Sequence, residues 1–300
     1  MSNLLHQFRS FYFRNYPNDM QTQIEYFAVF GGMDIDLDTT LPIATAIQNH
    51  ILKNFHTINT QMQEITKHHE KSKKLLHAIA VGDRKIFSAF NKAGFNNTNG
   101  GITINQLYND GVIDIEYSRE KNPKKEKNHT KLKREIARHR ISHKIVFTKP
   151  FIRFWFYFIS PYTKEIAQNK YTNFFKQFLQ KQNSYTSFVF EELCEILLNY
   201  HLRDSQIISS GSYWDANVEI DILTVTQDNK IYVAECKWTN HKINKNELTK
   251  LLEKCEKIGV KPTQIALFCK SGFSKELISM QGKDVALYSA CDFEKLLKRF

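Results

Sequence analysis

Apolar residues recur at three- and four-residue spacings through the first 70 residues, most clearly in LPIATAIQNHILKNFHTINTQMQEI, with Pro42 near its start. This region reads as mainly helical, and GGM at 31–33 marks a break in it. Three short helices are expected next: KKLLHAIA, then DRKIFSAFNKAGF with Asp83 as N-cap, then ITINQLYNDGVI ending near Gly111 after a turn at NNTNGG. IDIEYS alternates like a strand, and KIVFTKP is an apolar partner for it. FTKPFIRFWFYFISP is too short to span a bilayer and holds Lys149 and Arg153, so it reads as a buried connecting segment. TKEIAQNKYTNFFKQFLQKQNSY follows as an amphipathic helix. From residue 184 the pattern alternates between types: helix FVFEELCEILLNYHL, strands IISSGSYW, VEIDILTV and IYVAECKW, helix NKNELTKLLEKCEKI behind an Asn cap, and strand TQIALFC. KELISMQ, strand DVALYS and helix FEKLLKRF close an α-β-β-β-α-β-α-β-α order.

Four regions are expected: helices over 1–70, a second unit over 71–150, a linker segment and helix over 151–183, and an α/β domain over 184–300. Three helices followed by two strands is the order of a winged helix-turn-helix, with ITINQLYND as the recognition helix and 119–144 as the wing. Charge strengthens that reading. The net charge is +11, and residues 119–144 hold eleven Lys/Arg against three Glu, which leaves about +3 for the rest of the chain. A polyanionic partner, duplex DNA, is therefore expected, with Lys121, Lys124, Lys125, Lys127, Lys131, Lys133, Arg134, Arg138 and Arg140 as its contacts. The five cysteines form no CxxC pair and with the histidines no zinc pattern, so they read as buried thiols in a reducing cytoplasm. The first twenty residues lack a continuous apolar core, and neither a signal peptide nor membrane attachment is expected. DIDLD at 34–38 reads as helix-capping acids rather than a metal loop.

The chemistry concentrates in VEIDILTV and IYVAECKW, joined by the turn QDNK. A turn centred near Asn229 sets Asp221 beside Glu235 or Cys236 on the facing strand. Side chains alternate along a strand, so Glu235 and Lys237 share a face. Two close carboxylates repel each other unless a cation lies between them, and hard oxygen donors suit Mg²⁺ or Mn²⁺.

An acid in the first helix (Phe190-Glu191), Asp221 in the second strand and Glu235-Cys236-Lys237 in the third together resemble the PD-(D/E)XK nuclease superfamily. Over about residues 140–300 the strings FTKPFIRFWFYFISP, FVFEELCEILL, SYWDANVEIDIL and AECKW look like the nuclease-like domain that follows archaeal-type P-loop ATPases, although no GxxxxGK[ST] and hence no ATP site is present. The resemblance implies a restriction-endonuclease-like αβββαβ core in the α/β C-terminal domain, preceded by the mainly α winged-helix-like region. It implies a Mg²⁺- or Mn²⁺-dependent deoxyribonuclease. Asp221, Glu235, the Cys236 carbonyl and Glu191 (Glu192 as alternate) would hold metal, and Lys237 would position or deprotonate the attacking water. Lys250 and Lys254 are weaker additions on the following helix, and Trp214 and Trp238 are expected to pack beside the site. A homodimer is a reasonable guess from the superfamily's habits. The competing expectation is a DNA- or protein-binding adaptor whose nuclease-like domain is inactive.

Overall fold

A computed structural model describes residues 3–120 and 140–298. Helices α1 (Asn3–Asn15), α2 (Met20–Phe30), α3 (Ile43–Ile47) and α4 (Phe55–Ile65) form the N-terminal part, and a π-helical turn, Gln48–Leu52, continues α3. Asp19 caps α2 by accepting from the Thr22 N–H at 2.7 Å. The DIDLD acids do other work than capping. Asp34 and Asp36 pair with Arg14, and Asp38 accepts from Thr40 in a local turn.

Three helices follow, α5 (Glu70–Val81), α6 (Ile86–Ala93) and α7 (Asn97–Asn109), then antiparallel strands β1 (Ile113–Glu116) and β2 (Lys144–Phe147). Two details correct the sequence reading. Asp83 accepts from the Lys85 N–H but the helix begins later, at Ile86. NNTNGG is the first turn and a half of α7, capped by Asn96, instead of a turn before it. Gly100 serves packing there: a Cβ would fall 2.6 Å from the Phe90 ring. Lys121, Lys124, Lys125, Lys127, Lys131, Lys133, Arg134 and Arg138 lie outside the described residues; Arg140 is described and exposed.

The aromatic run is buried as expected, but it is helical: α8 (Pro150–Phe154), a π turn (Trp155–Ile159) and a 3₁₀ turn (Ser160–Tyr162). After α9 (Thr163–Ile166), α10 runs unbroken from Thr172 to His201, through the boundary expected at 183/184. Its buried stripe includes Phe174, Phe178, Tyr185, Val189, Leu193 and Leu197, an approximate 3.6-residue period.

The C-terminal part is a five-stranded mixed sheet of order β3-β6-β7-β8-β9: β3 (Ile207–Ser209), β6 (Ile222–Thr226), β7 (Ile231–Lys237), β8 (Gln264–Cys269) and β9 (Val285–Ser289). β3 and β7 each run antiparallel to β6, and β8 and β9 add in parallel. The crossovers carry α11 (Lys245–Lys257), capped by Asn244, and α12 (Lys275–Ser279). The closing segment is a 3₁₀ helix, Ala290–Leu297. The strand expected at VEIDILTV is broken at Asp221. Glu219–Ile220 (β5) leaves the main sheet to pair with Tyr213–Trp214 (β4) in a small hairpin.

One hydrophobic core runs from Leu5 to Leu296, joining the N-terminal helices, α10 and one face of the sheet. A second, smaller core lies on the other face, between β7, β8 and α11. Among the described residues no helix is long and apolar enough to cross a membrane. Cys194, Cys236, Cys255 and Cys269 are buried, Cys291 is exposed, and all five are free thiols.

Candidate functional site

The site is built on the β6–β7 hairpin. Ile222 faces Ala234 and Val225 faces Ile231, so the turn centres on Asp228 and the register carries Asp221 opposite Glu235. The Cys236 N–H donates to Asp221 Oδ2 at 2.8 Å. Along β7 the side chains alternate. Val233 joins the core under α11, while Ala234, Cys236 and Trp238 join the core under α10. Glu235 and Lys237 therefore share the α11 face, and Lys237 Nζ donates to Glu235 Oε1 at 2.6 Å.

Glu235 is 6% exposed. Burying a lone carboxylate costs several kcal/mol; here Lys254 from α11 donates to its other oxygen at 2.7 Å. Charge-assisted bonds to both oxygens offset the lost hydration. Glu247, also on α11, lies 3.7 Å from Lys237 and 2.7 Å from Lys250. Burial by itself would lower the Lys237 ammonium, but Glu235, Asp221 and Glu247 outweigh it and the net shift is upward. Lys237 is thus held charged. Lys250 is exposed and reaches Glu247 only.

Asp221 differs. Burial, then the neighbouring charges of Glu235 and Glu191, push its carboxyl well above the ordinary range, against the pull of the Cys236 N–H and Lys237. Both glutamates thus lie within electrostatic reach of Asp221. Glu191 stands on α10, and burial raises its carboxyl as well, while Arg84 and Arg153 pull it down. Its neighbour Glu192 is raised by burial to about 7, with Arg84 4.0 Å away. Arg153, 5% exposed, lies 3.9 Å from the Phe188 ring centre and 5.0 Å from that of Tyr185.

These acids open on a cleft of about 430 Å³ lined by Arg84, Glu191, Glu192, Glu195, Glu219 and Asp221, with β1 and β2 forming its other wall. Long-range bonds fasten the small β4–β5 hairpin to that wall. Lys144, 1% exposed on β2, donates to Glu219 Oε1 at 2.5 Å and lies 4.4 Å from the Trp214 ring centre. Trp214 Nε1 donates to the Ser142 carbonyl at 2.9 Å, and Glu116 accepts from the Ser212 N–H at 2.9 Å. Arg119, just beyond β1, donates to the carbonyls of Gly211, Ser212 and Leu223 at 2.6, 2.8 and 2.8 Å, gripping the segments on both sides of Asp221. Trp214 and Trp238 are buried, Trp238 against Phe190, as packing residues would be.

Sequence reasoning brings Asp221, Glu235, Cys236 and Lys237 together correctly as neighbours. It counts Arg119 only as one charge among the wing's and does not single out Arg84 or Lys144. Their one signal is that they are cations inside or beside apolar strand and helix patterns.

The donor set fits a hard divalent cation by chemistry, since Asp221, Glu235 and Glu191 offer oxygens and repel one another. The spacing is another matter: among the described residues no three His, Cys, Asp or Glu side chains form a group that could hold a metal ion as they stand. Both Glu235 oxygens are engaged by ammonium groups.

Compared with known proteins, residues 155–251 match a family described as archaea bacterial proteins of unknown function. That span begins within the aromatic run, ends within α11, and includes Glu191, Asp221, Glu235 and Lys237. No curated protein and no solved structure matches the chain.

Proposed function

We propose that this chain is a metal-dependent phosphodiesterase acting on DNA, with the PD-(D/E)XK-like site at Asp221, Glu235 and Lys237. The observation that carries the reading is the placing of Asp221, set opposite Glu235 by the β6–β7 register, lining the cleft with Glu191, held by one backbone N–H, and raised by burial and then by those two glutamates. Such a group gains by taking up a cation or a proton. Asp221, Glu235 and the Cys236 carbonyl would hold Mg²⁺ or Mn²⁺, with Glu191 approaching from α10. When bound, the ion supplies Lewis acidity toward the phosphate and a lowered pKa for its water. Lys237, charged at Nζ, donates hydrogen bonds and offsets negative charge developing on the phosphate; in this arrangement it is an electrostatic partner and not a base. To offer an oxygen to the cation, Glu235 would have to give up its bond to Lys254 or Lys237.

The order α5-α6-α7-β1-β2, with the basic segment between the strands, supports a winged-helix role in holding the duplex, mostly through phosphate contacts. A homodimer would let two sites act on two strands.

One observation favours a second reading, a DNA- or protein-binding adaptor. Glu235 and its lysines form a closed ion-pair network that needs no metal. Cleavage of supercoiled plasmid and single-stranded DNA with Mg²⁺ or Mn²⁺ against EDTA separates the two. Metal-dependent cutting that vanishes in Asp221→Ala and Lys237→Ala is the nuclease result. No cutting, with a salt-sensitive gel shift retained in all three proteins, is the adaptor result.

A further inference from the structure

A second cavity, of about 290 Å³, lies where the start of α6 meets the chain entering β2. Its lining includes Lys85, Phe87, Ser88, Asn91, Asn97 and Arg140, and among the described residues no carboxylate lines it. Its chemistry is the reverse of the acidic cleft's. Two cations, a hydroxyl and two amides offer donors, and Phe87, half-buried, offers an aromatic surface. Lys85 acts on Glu219 only through space, as one of several cations near that carboxylate. The cavity floor is fixed: the Ile86 N–H donates to the His143 carbonyl at 3.0 Å and the Phe87 N–H to Ser142 Oγ at 3.3 Å. The helix-start amides being engaged, recognition falls to the side chains.

A phosphate diester needs cations and neutral donors with no competing carboxylate, and a nucleobase needs a π face. Both are present here. The cavity is also tied to the candidate site. Ser142, another lining residue, accepts the Trp214 indole N–H on its carbonyl, and Trp214 belongs to the hairpin that runs into Asp221.

We propose that this cavity is a nucleotide subsite for a single strand of nucleic acid, with a backbone phosphate between Lys85 and Arg140 and the adjoining base against Phe87. It anchors the strand that is led toward Asp221. The inference rests on the nuclease reading for its purpose, but its test does not need cleavage.

Anisotropy of a fluorescein-labelled single-stranded 20-mer is measured with the full chain in EDTA, across a salt series. The Lys85→Ala/Arg140→Ala protein is expected to bind about tenfold more weakly, with the log–log salt slope reduced by about two. Phe87→Leu is expected to weaken single-stranded binding about fivefold or more and leave duplex binding unchanged. A control removes two exposed lysines elsewhere, Lys53→Ala/Lys176→Ala, and each protein's fold is checked by circular dichroism. Equal losses in the control pair, or no loss in either cavity variant, overturn the proposal. Inorganic phosphate displacing the oligonucleotide at low millimolar concentration would mark a small-anion site and overturn the strand assignment. Cavity variants that lose binding in a protein that never cuts DNA would leave the subsite standing and the nuclease reading fallen.

Discussion

The α11 side of the β6–β7 hairpin and the neighbouring cleft treat their acids in opposite ways. On the α11 face Glu235 is almost wholly buried, yet each oxygen meets an ammonium, Lys237 at 2.6 Å and Lys254 at 2.7 Å. In the cleft Glu191, Glu192 and Asp221 share a region with Arg84 and Arg153, and Arg84 stands 4.0 Å from Glu192. Burial costs the same kind of energy in both places. Where ammonium groups reach both oxygens, contact offsets that cost. In the cleft, burial and neighbouring acids push the carboxyls up: Glu192 to about 7, and Asp221 well above its usual range even with the Cys236 N–H on one oxygen. Neutralisation by contact makes a rigid ion network, and neutralisation left undone makes a site that responds to pH and to cations. Asp221 stands at the seam, bonded to the β7 backbone and repelled from both sides.

The largest expected effect is on catalysis. Asp221→Ala and Lys237→Ala each reduce metal-dependent DNA cleavage by at least about a hundredfold in a single-turnover assay. Next comes a thermal shift. In EDTA at pH 8, Asp221→Asn melts higher than wild type by the equivalent of about 1–3 kcal/mol, because a repelled charge is removed while the Cys236 N–H keeps an acceptor. Mn²⁺ then raises the melting temperature of wild type and not of the variant. A drop in melting temperature on Asp221→Asn would erase the contrast between the two places.

Glu192 gives a pH test. Its carboxyl is raised from 4.5 to about 7, so the stability it confers is full below pH 4.5 and is lost as pH rises toward 7. Urea unfolding across pH 4–8 should show wild type losing about 1–3 kcal/mol over that window from this group, and Glu192→Gln should lack that step. The smallest effect is expected at Lys254. Lys254→Met leaves Glu235 with one ammonium, costs about 1 kcal/mol in denaturant midpoint, and tightens divalent-cation binding several-fold in a calorimetric titration. Unchanged affinity would mean that Lys254 does not stand in the cation's way.

The hairpin was legible because its logic is local. A period of two and a four-residue turn are enough to set Asp221 beside Glu235 or Cys236, of which the structure selects Glu235, and to put Lys237 on the face of Glu235; the Asn244 cap is equally local. Whatever depended on distant partners was not. Arg119 reaches Leu223 across 104 positions, and Lys144 reaches Glu219 across 75. Two helices are expected on either side of 183/184, yet α10 runs through that boundary, with Tyr185 and Thr186 buried there. Tyr185 donates to the Ala28 carbonyl at 2.9 Å, with the Pro150 carbonyl at 3.2 Å. The split of VEIDILTV at Asp221 escaped for a related reason: its β-rich composition is uniform, and the break is imposed by Trp214, Lys144 and Arg119 from outside.

That unbroken helix sets limits on how the chain could be cut or recombined. Thirty residues at 1.5 Å each make a rod of about 45 Å, whose first half is sheathed by aromatics from 151–158 and whose second half carries Glu191. A fragment beginning at 184 would start in mid-rod and leave Tyr185 without the rings of Phe154 and Phe158. A viable graft onto another protein would have to travel with the rod and its aromatic sheath intact, so the inheritable module is larger than the sheet that bears the acids.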